Sequence, residues 1–183
     1  MTDAITNSLQ SYGSFSGNEI DLFLSKLKER RVGKGEAILN IGDVCMSLSF
    51  IEKGSFIQYH KDEELNEVVS NLFISGEWLL NHASFTGQKP SIDRIDAFED
   101  SSVRTLSIHD VHELIGLYPS FFALGKILEV TDFRSNQKLT PDQKYTQLLA
   151  QKPQWIKTFP LKHIASYLGM TPETLSRVRA RIS

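Results

Sequence analysis

The last quarter of the chain has apolar positions at a helical period. Over residues 161–168 these side chains share one face, and they are Leu161, Ile164, Ala165 and Leu168. Gly169 then ends the helix, because glycine tolerates the left-handed backbone that closes many helices. Thr171 and Pro172 begin the next helix, as a side-chain N-cap and a first-turn residue that leaves no N–H unpaired. The pattern predicts two short helices joined by a tight turn.

The second of these helices has an apolar side and a charged side. The apolar side holds Leu175, Val178 and Ile182, and the opposite side holds Glu173, Thr174, Arg177 and Arg181. Such a pair is typical of a helix-turn-helix that binds DNA, although a helical hairpin with solvated charges is the plainer interpretation. The agreement of glycine, N-cap, small Ala165 and basic face favours DNA binding. We therefore predict a DNA-binding surface of Lys162, Thr171, Glu173, Thr174, Arg177 and Arg181.

The period changes upstream of this motif. Residues 18–30 fit an amphipathic helix whose inward positions are Ile20, Phe23, Leu24 and Leu27. Between residues 32 and 106, short β-rich runs alternate with turn residues, which predicts a small antiparallel barrel or roll. Ser107 followed by Asp110 predicts a capped short helix directly after the last strand.

A longer apolar helix is predicted between the roll and the C-terminal motif. It begins at Pro119 and runs to residue 139, and its apolar side comprises Phe121, Leu124, Ile127, Leu128 and Val130. That side can pack on the roll, pair with a second copy of the chain, or do both; we favour a dimer interface. Thr140 and Pro141 begin a further helix, and Pro153 ends it.

The predicted fold class is therefore α+β. An antiparallel β-roll spans residues 1–118, a connecting helix spans 119–139, and a helix-turn-helix domain spans 140–183. The net charge of −2 is divided unevenly, because residues 138–183 carry +6 and the remainder carries −8. A basic C-terminal part on an acidic body fits one nucleic-acid-binding module joined to a domain with another task.

Composition excludes several other classes of protein. No apolar run approaches the ~20 residues that span a bilayer, and the N-terminus lacks the pattern of a secretion signal, so we expect a cytoplasmic protein. The single Cys45 allows no internal disulfide and no cysteine-ligated zinc site. A cupin-type metalloenzyme needs a His-x-His pair, whereas His60 and His82 stand alone, and no catalytic triad is present. We expect no enzyme and no metal site.

The order of β-roll, long helix and helix-turn-helix resembles the Crp/Fnr family of bacterial transcription regulators. The resemblance is highly specific over residues 160–179 and looser in the roll, at 76–78, 90–103 and 106–110. It implies a double-stranded β-helix of the cyclic-nucleotide-binding type, with DNA and a second copy of the chain as partners. RNA polymerase is a further candidate partner. From this sequence we expect no counterpart of the β-hairpin wing that follows the second helix in longer members of the family.

The resemblance also implies an effector site in the roll. Gly76 and Glu77 match the family's Gly-Glu pair, whose Glu binds the ribose of a cyclic nucleotide, and Trp78 follows them. The position of the family's arginine for the cyclic phosphate falls at Ser91, so the arginine is absent and we expect a cyclic nucleotide to bind weakly or not at all. Arg94 is the nearest substitute, but on a strand an odd separation from Ser91 places it on the opposite face.

The sequence therefore predicts a dimeric DNA-binding transcription regulator. Two alternatives stay open: a cyclic-nucleotide-binding module that acts on a protein partner, and, more remotely, a cupin-like metalloenzyme.

Overall fold

The N-terminal part begins with helices and continues as strands. In a computed structural model that describes residues 2–128 and 139–182, the first elements are α1 (Thr2–Tyr12) and α2 (Gly17–Lys26). The strands described are β1 (Lys28–Val32), β2 (Ala37–Leu39), β3 (Ser47–Lys53), β4 (Ser55–Lys61), β5 (Glu67–Ile74), β6 (Trp78–Leu79), β7 (Arg94–Ala97) and β8 (Ser101–Ser107). Helix α3 (His82–Gly87) lies between β6 and β7, and α4 (Ile108–Leu117) follows β8.

Two antiparallel sheets enclose the core of this part. Within the described residues their strand orders are β1–β8–β3–β6 and β2–β7–β4–β5. The core includes Phe50, Ile51, Phe56, Val103 and Leu106, all at most 2% exposed. Two sheets closed around one apolar core form a β-roll, which confirms the predicted roll and the α+β class. The predicted cap of α4 is confirmed too, because the Ser107 side chain accepts from the Asp110 backbone N–H at 3.1 Å.

The first predicted helix is too long, and an earlier helix was not predicted. Helix α2 ends at Lys26, and residues 28–30 pair with β8 as part of β1. The charged side chains there lie exposed at a sheet edge, where strand pairing overrides helix propensity. In α1, Ile5 and Leu9 are one helical turn apart and are buried against the roll.

The predicted long helix differs as well. Residues Pro119–Leu128 form a 3-10 helix rather than an α-helix, and residues 129–138, including Val130, lie outside the described residues. Phe121 and Leu124 are 0% and 3% exposed in the core of the same chain, and Phe121 lies 5.3 Å from Phe15 between ring centroids. This segment therefore covers the roll with its most apolar side.

Four short helices form the C-terminal part. They are α5 (Pro141–Gln151), α6 (Pro153–Thr158), α7 (Leu161–Leu168) and α8 (Pro172–Ile182). Thr140 caps α5 with a capping box to Gln143, as the sequence predicts. Their core, which includes Tyr145, Leu148 and Trp155, also takes in Val69 and Leu72 of β5. Strand β5 thus joins the roll to the helical domain. No helix among the described residues is both long and apolar enough to cross a membrane.

Candidate nucleic-acid interface and effector site

The turn between α7 and α8 has the local structure that its sequence predicts. Gly169 adopts φ 68°, and its N–H and that of Met170 donate to carbonyls in the last turn of α7, each at 3.0 Å. Thr171 Oγ1 accepts from the Thr174 backbone N–H at 3.2 Å. These contacts fix the direction in which α8 leaves the turn.

The packing of the two helices leaves one side of α8 in solvent. The side chains that face inward are Ile164, Ala165 and Leu168 from α7 and Leu175 and Val178 from α8, each 0% exposed. The small Ala165 allows a close crossing, as expected. Glu173 and Arg177 are exposed on the other side of α8, and Lys162 is exposed on α7. The surface is therefore open to a partner.

Several of the predicted DNA-binding residues already have hydrogen-bond partners within the chain. Arg181 Nη2 donates to both carboxylate oxygens of Asp142 on α5, at 2.8 and 3.0 Å, and this exposed pair connects the end of α8 to α5. Thr171 is engaged as the N-cap. The pKa of Glu173 is lowered, first by its own backbone N–H and next by the Thr171 side chain, so Glu173 is ionised at the start of α8.

The Gly-Glu pair that the sequence analysis assigned to an effector site does not lie directly before a short helix. Gly76 and Glu77 form the turn between β5 and β6, with Gly76 at φ 88° and its N–H donating to the Ile51 carbonyl at 2.8 Å. The short helix α3 begins only at His82, and its N-cap is Asn81, whose side chain accepts from the Ser84 N–H. The assignment of Gly76 and Glu77 to the position before a short helix was therefore wrong, because Leu80 and Asn81 occupy that position.

Glu77 instead faces the helical domain. One of its carboxylate oxygens accepts from the Ile74 N–H at 3.0 Å, and the other accepts from Lys152 Nζ at 2.5 Å, between α5 and α6. Trp78 is buried against Phe50 and donates its indole N–H to Ser8 on α1 at 3.0 Å. Trp78 therefore anchors α1 to the roll, and the structure gives it no place in an effector pocket.

Ser91 lies in a buried polar cluster, in the turn before β7 rather than on a strand. Its hydroxyl accepts from Asn81 Nδ2 at 3.0 Å and donates to the Asp93 carbonyl at 2.8 Å. The Asp93 carboxylate accepts from Gln58 Nε2 at 2.5 Å and Asn81 Nδ2 at 3.1 Å, and it lies 3.0 Å from His60 Nδ1. A carboxylate thus lies beside Ser91, the position at which the family resemblance implied an arginine.

Arg94 takes no part in this cluster. Its Nε donates to Asp96 Oδ1 at 2.7 Å, and Asp96 also accepts from the Tyr59 hydroxyl at 2.9 Å. Burial first and the Asp96 hydrogen bond second raise the pKa of Tyr59 to about 12. The Arg94 guanidinium is therefore paired with Asp96 and not with the residues around Ser91.

Sequence reasoning missed Asn81, Gln58, His60 and Asp93. A signal was present, since a polar residue just before a short helix and a glutamine between apolar positions of β4 both call for buried partners. The spacing of these residues along the chain does not reveal that three separate segments meet at one carboxylate in the folded protein.

Known proteins share this architecture over most of the chain. The fumarate nitrate reduction regulatory protein of Klebsiella oxytoca is 25% identical over 188 residues, covering 91% of this chain and 74% of the relative. The catabolite activator protein of Thermus thermophilus is 20% identical and covers 93% of this chain and 85% of its own, with a TM-score of 0.56. A Crp/Fnr-family regulator from Eubacterium rectale is 16% identical, covering 92% and 83%, with a TM-score of 0.61. No family model matches the chain.

This chain has the fold of Crp/Fnr regulators. The proteins that it resembles are described as regulators, not as enzymes. Among the residues that the structure describes, no three His, Cys, Asp or Glu side chains are grouped as a metal site would be. His109 and His112 of α4 are both exposed.

The apolar side of the predicted long helix led us to expect a dimer interface there. Because Phe121 and Leu124 are buried in their own chain, they have no area to offer a second copy, and their assignment to the interface was wrong. Ile127 and Leu128 are half-buried against the same core. The exposed apolar side chains nearby are Leu117 at 55%, Tyr118 at 41% and Phe122 at 69%.

A cavity of about 440 Å³ opens beside β2, β3 and β6. Its lining is mainly apolar and includes Leu39, Val44, Cys45, Leu79 and Leu80. Burial raises the pKa of the Cys45 thiol, so the thiol stays protonated and behaves as a small apolar group.

Proposed function

We propose that this chain is a DNA-binding transcription regulator that reads DNA with α8. The observation that supports this most directly is the division of α8 into two sides. Leu175 and Val178 are fully buried against the domain, whereas Glu173 and Arg177 point into solvent from the first half of the helix. In helix-turn-helix proteins that half of the second helix enters the major groove.

Each exposed residue has a chemically defined role in this proposal. The Arg177 guanidinium fits the two acceptors that guanine presents in the major groove, and the ionised Glu173 fits the amino donor of cytosine. Lys162 and Arg181 are phosphate contacts, and Arg181 must exchange its Asp142 partner for a phosphate to act as one. Thr171 and Thr174 support the helix start.

A mobility-shift titration on the chain's own promoter region, run as a salt series, tests the proposal. Contacts to two to four phosphates predict a slope of log affinity against log salt of roughly −2 to −4. A roll that acts on a protein partner instead would show no retardation at low salt, and that result would contradict DNA binding.

We propose in addition that the chain acts as a homodimer. Two-fold DNA sites match two-fold proteins, and the exposed Leu117, Tyr118 and Phe122 offer apolar area beside the connecting segment. Ile127 and Leu128 extend this surface from their half-buried positions.

The regulator is proposed to bind cyclic AMP and cyclic GMP weakly or not at all. A bound cyclic phosphate keeps one negative charge, which needs a charged partner when buried. Ser91 carries no charge, and the Arg94 guanidinium is paired with Asp96. Glu77, the residue that the resemblance assigned to the ribose, is paired with Lys152. Isothermal titration calorimetry with each nucleotide tests this proposal, because micromolar or tighter binding of either nucleotide would contradict it.

The likeness to transcription regulators further supports the cytoplasm as the location of the protein and RNA polymerase as a second partner.

A further inference from the structure

The buried cluster around Asp93 has the chemistry of an occupied anion site. Asn81 and Ser91 are 3% and 4% exposed, Gln58 is 8% exposed, and the Asp93 side chain is 12% exposed. Two amide groups donate to the carboxylate, and the His60 ring lies within hydrogen-bond distance of it. Donors from β4 and from the start of α3 thus converge on one negative group.

This arrangement connects segments that are far apart along the chain. Asn81 uses its amide nitrogen for Asp93 and Ser91 and its amide oxygen for the Ser84 N–H, so the carboxylate also fixes the start of α3. Ser91 in turn exchanges backbone hydrogen bonds with Gly42 and Asp43, each at 2.8 Å. The carboxylate therefore holds β4, α3 and two turns in one place.

An external anion cannot share this site with Asp93. It would need the same donors and the same space, and it would lie beside a buried like charge, which is costly. We propose that Asp93 is the built-in occupant of the roll's anion site and the specificity-determining residue that excludes phosphate-bearing effectors. This inference rests on the proposed function only in taking the roll as the effector domain. If Asp93 fills the anion site, any effector that binds the roll there is neutral or positively charged.

Chemical rescue tests the proposal directly. Asp93→Ala leaves a space of carboxylate size that is still surrounded by the donors of Gln58, His60 and Asn81. The melting temperature of the full chain is measured against sodium formate, with sodium chloride added to keep the ionic strength constant. We expect Tm to fall by roughly 5 °C or more in the variant, because several buried donors lose their acceptor. About 100 mM formate should then restore roughly 3–5 °C in a saturable manner.

Two further variants separate site binding from a general salt effect. Asp62→Ala removes an exposed carboxylate between β4 and β5 that accepts from the Glu64 and Asn66 N–H groups, and formate should act on this variant no more than chloride does, because no enclosed space is left. Asp93→Asn keeps the shape and fills the space, so its Tm should fall and should not respond to formate. Wild-type protein should not respond either.

The melting temperatures of the variants in formate and in chloride decide the proposal. Equal effects of formate and chloride on Asp93→Ala, or an equal rescue of Asp93→Asn, would overturn the proposal. If Asp93→Ala does not fold in chloride, refolding in formate takes the place of the melting curve: recovery only in formate supports the site, and recovery in neither overturns it. The assay does not involve DNA, so a failure of DNA binding would leave its result unchanged.

Discussion

At the scale of single residues, His163 shows how burial sets a charge. Its pKa is lowered, chiefly by desolvation and next by Lys162, with Glu67 of β5 acting in the opposite direction. Its Nδ1 is buried and has no hydrogen-bond partner among the described residues, and its ring meets Phe98 edge-on at 5.6 Å. The neutral form is therefore the one that fits between α7 and the roll.

This predicts a loss of stability in mild acid. A histidine with a lowered folded pKa binds more protons when unfolded, so its full contribution is present above pH 6.5 and is lost as pH falls below that value. His163→Phe keeps an apolar ring and removes the titration. We expect Tm to fall less between pH 7.5 and 5.5 in this variant than in wild type, measured by circular dichroism. The exposed His109→Phe is the control, and equal pH dependence in all three proteins would contradict the account.

At the scale of elements, glycine position decides whether an added methyl group helps or harms. Gly169 has φ 68° at the end of α7, whereas Gly116 lies inside α4 without a positive φ. We predict that Gly169→Ala lowers the free energy of unfolding by about 1 kcal/mol, because the left-handed backbone disfavours a Cβ.

The matched variant Gly116→Ala should raise stability by about 0.4–1 kcal/mol, since its conformation suits alanine. Urea unfolding of both variants measures the difference. If both changes have the same sign, the assignment of Gly169 as the αL residue of the turn fails.

Local signals explain what the sequence predicts well. The α5, α7 and α8 boundaries follow from Thr140, Gly169 and Thr171, whose effects act within one helical turn. The positions of the strands of the roll are predicted in the same way, from turn residues that separate short apolar runs. Segments whose structure depends on distant partners are predicted poorly. Residues 28–30 become a strand only because β8 lies beside them, and Asn81 is a functional candidate only because Asp93 meets it.

At the scale of the whole molecule, β5 connects the roll to the C-terminal helical domain. The Val69 N–H donates to Ser166 Oγ on α7 at 2.9 Å, and Glu77 at the end of the same hairpin pairs with Lys152. A residue that the family resemblance assigned to the effector is thus a contact between domains.

Breaking this pair should loosen the domain contact measurably. The two side chains are 22% and 33% exposed, so the pair contributes no more than about 1 kcal/mol. Lys152→Met should raise hydrogen exchange of the peptide covering 67–74 by up to roughly fivefold, and the exposed Lys157→Met should not. The exchanged pair Glu77→Lys with Lys152→Glu should restore protection, and a lack of recovery would show that the charge pairing is not responsible.

The dimer can be tested at its exposed apolar surface. Phe122→Lys places a charge where a second copy would bury the ring, and we expect the dimer dissociation constant to rise at least tenfold in sedimentation analysis. Leu65→Lys, at a distant exposed position in the β4–β5 hairpin, is the control. A dimer unaffected by Phe122→Lys would place the interface elsewhere.

The most direct test of the central claim is the DNA specificity of Arg177→Ala. Fluorescence anisotropy compares the specific promoter site with random DNA at one salt concentration, for wild type, Arg177→Ala and the exposed Arg31→Ala of the roll. The account predicts a loss of about 1–3 kcal/mol on the specific site, a much smaller loss on random DNA, and no change in the control. Equal losses of affinity for the specific and the random DNA would show that Arg177 contacts a phosphate and does not read a base. Unchanged binding to both would contradict a DNA-reading α8.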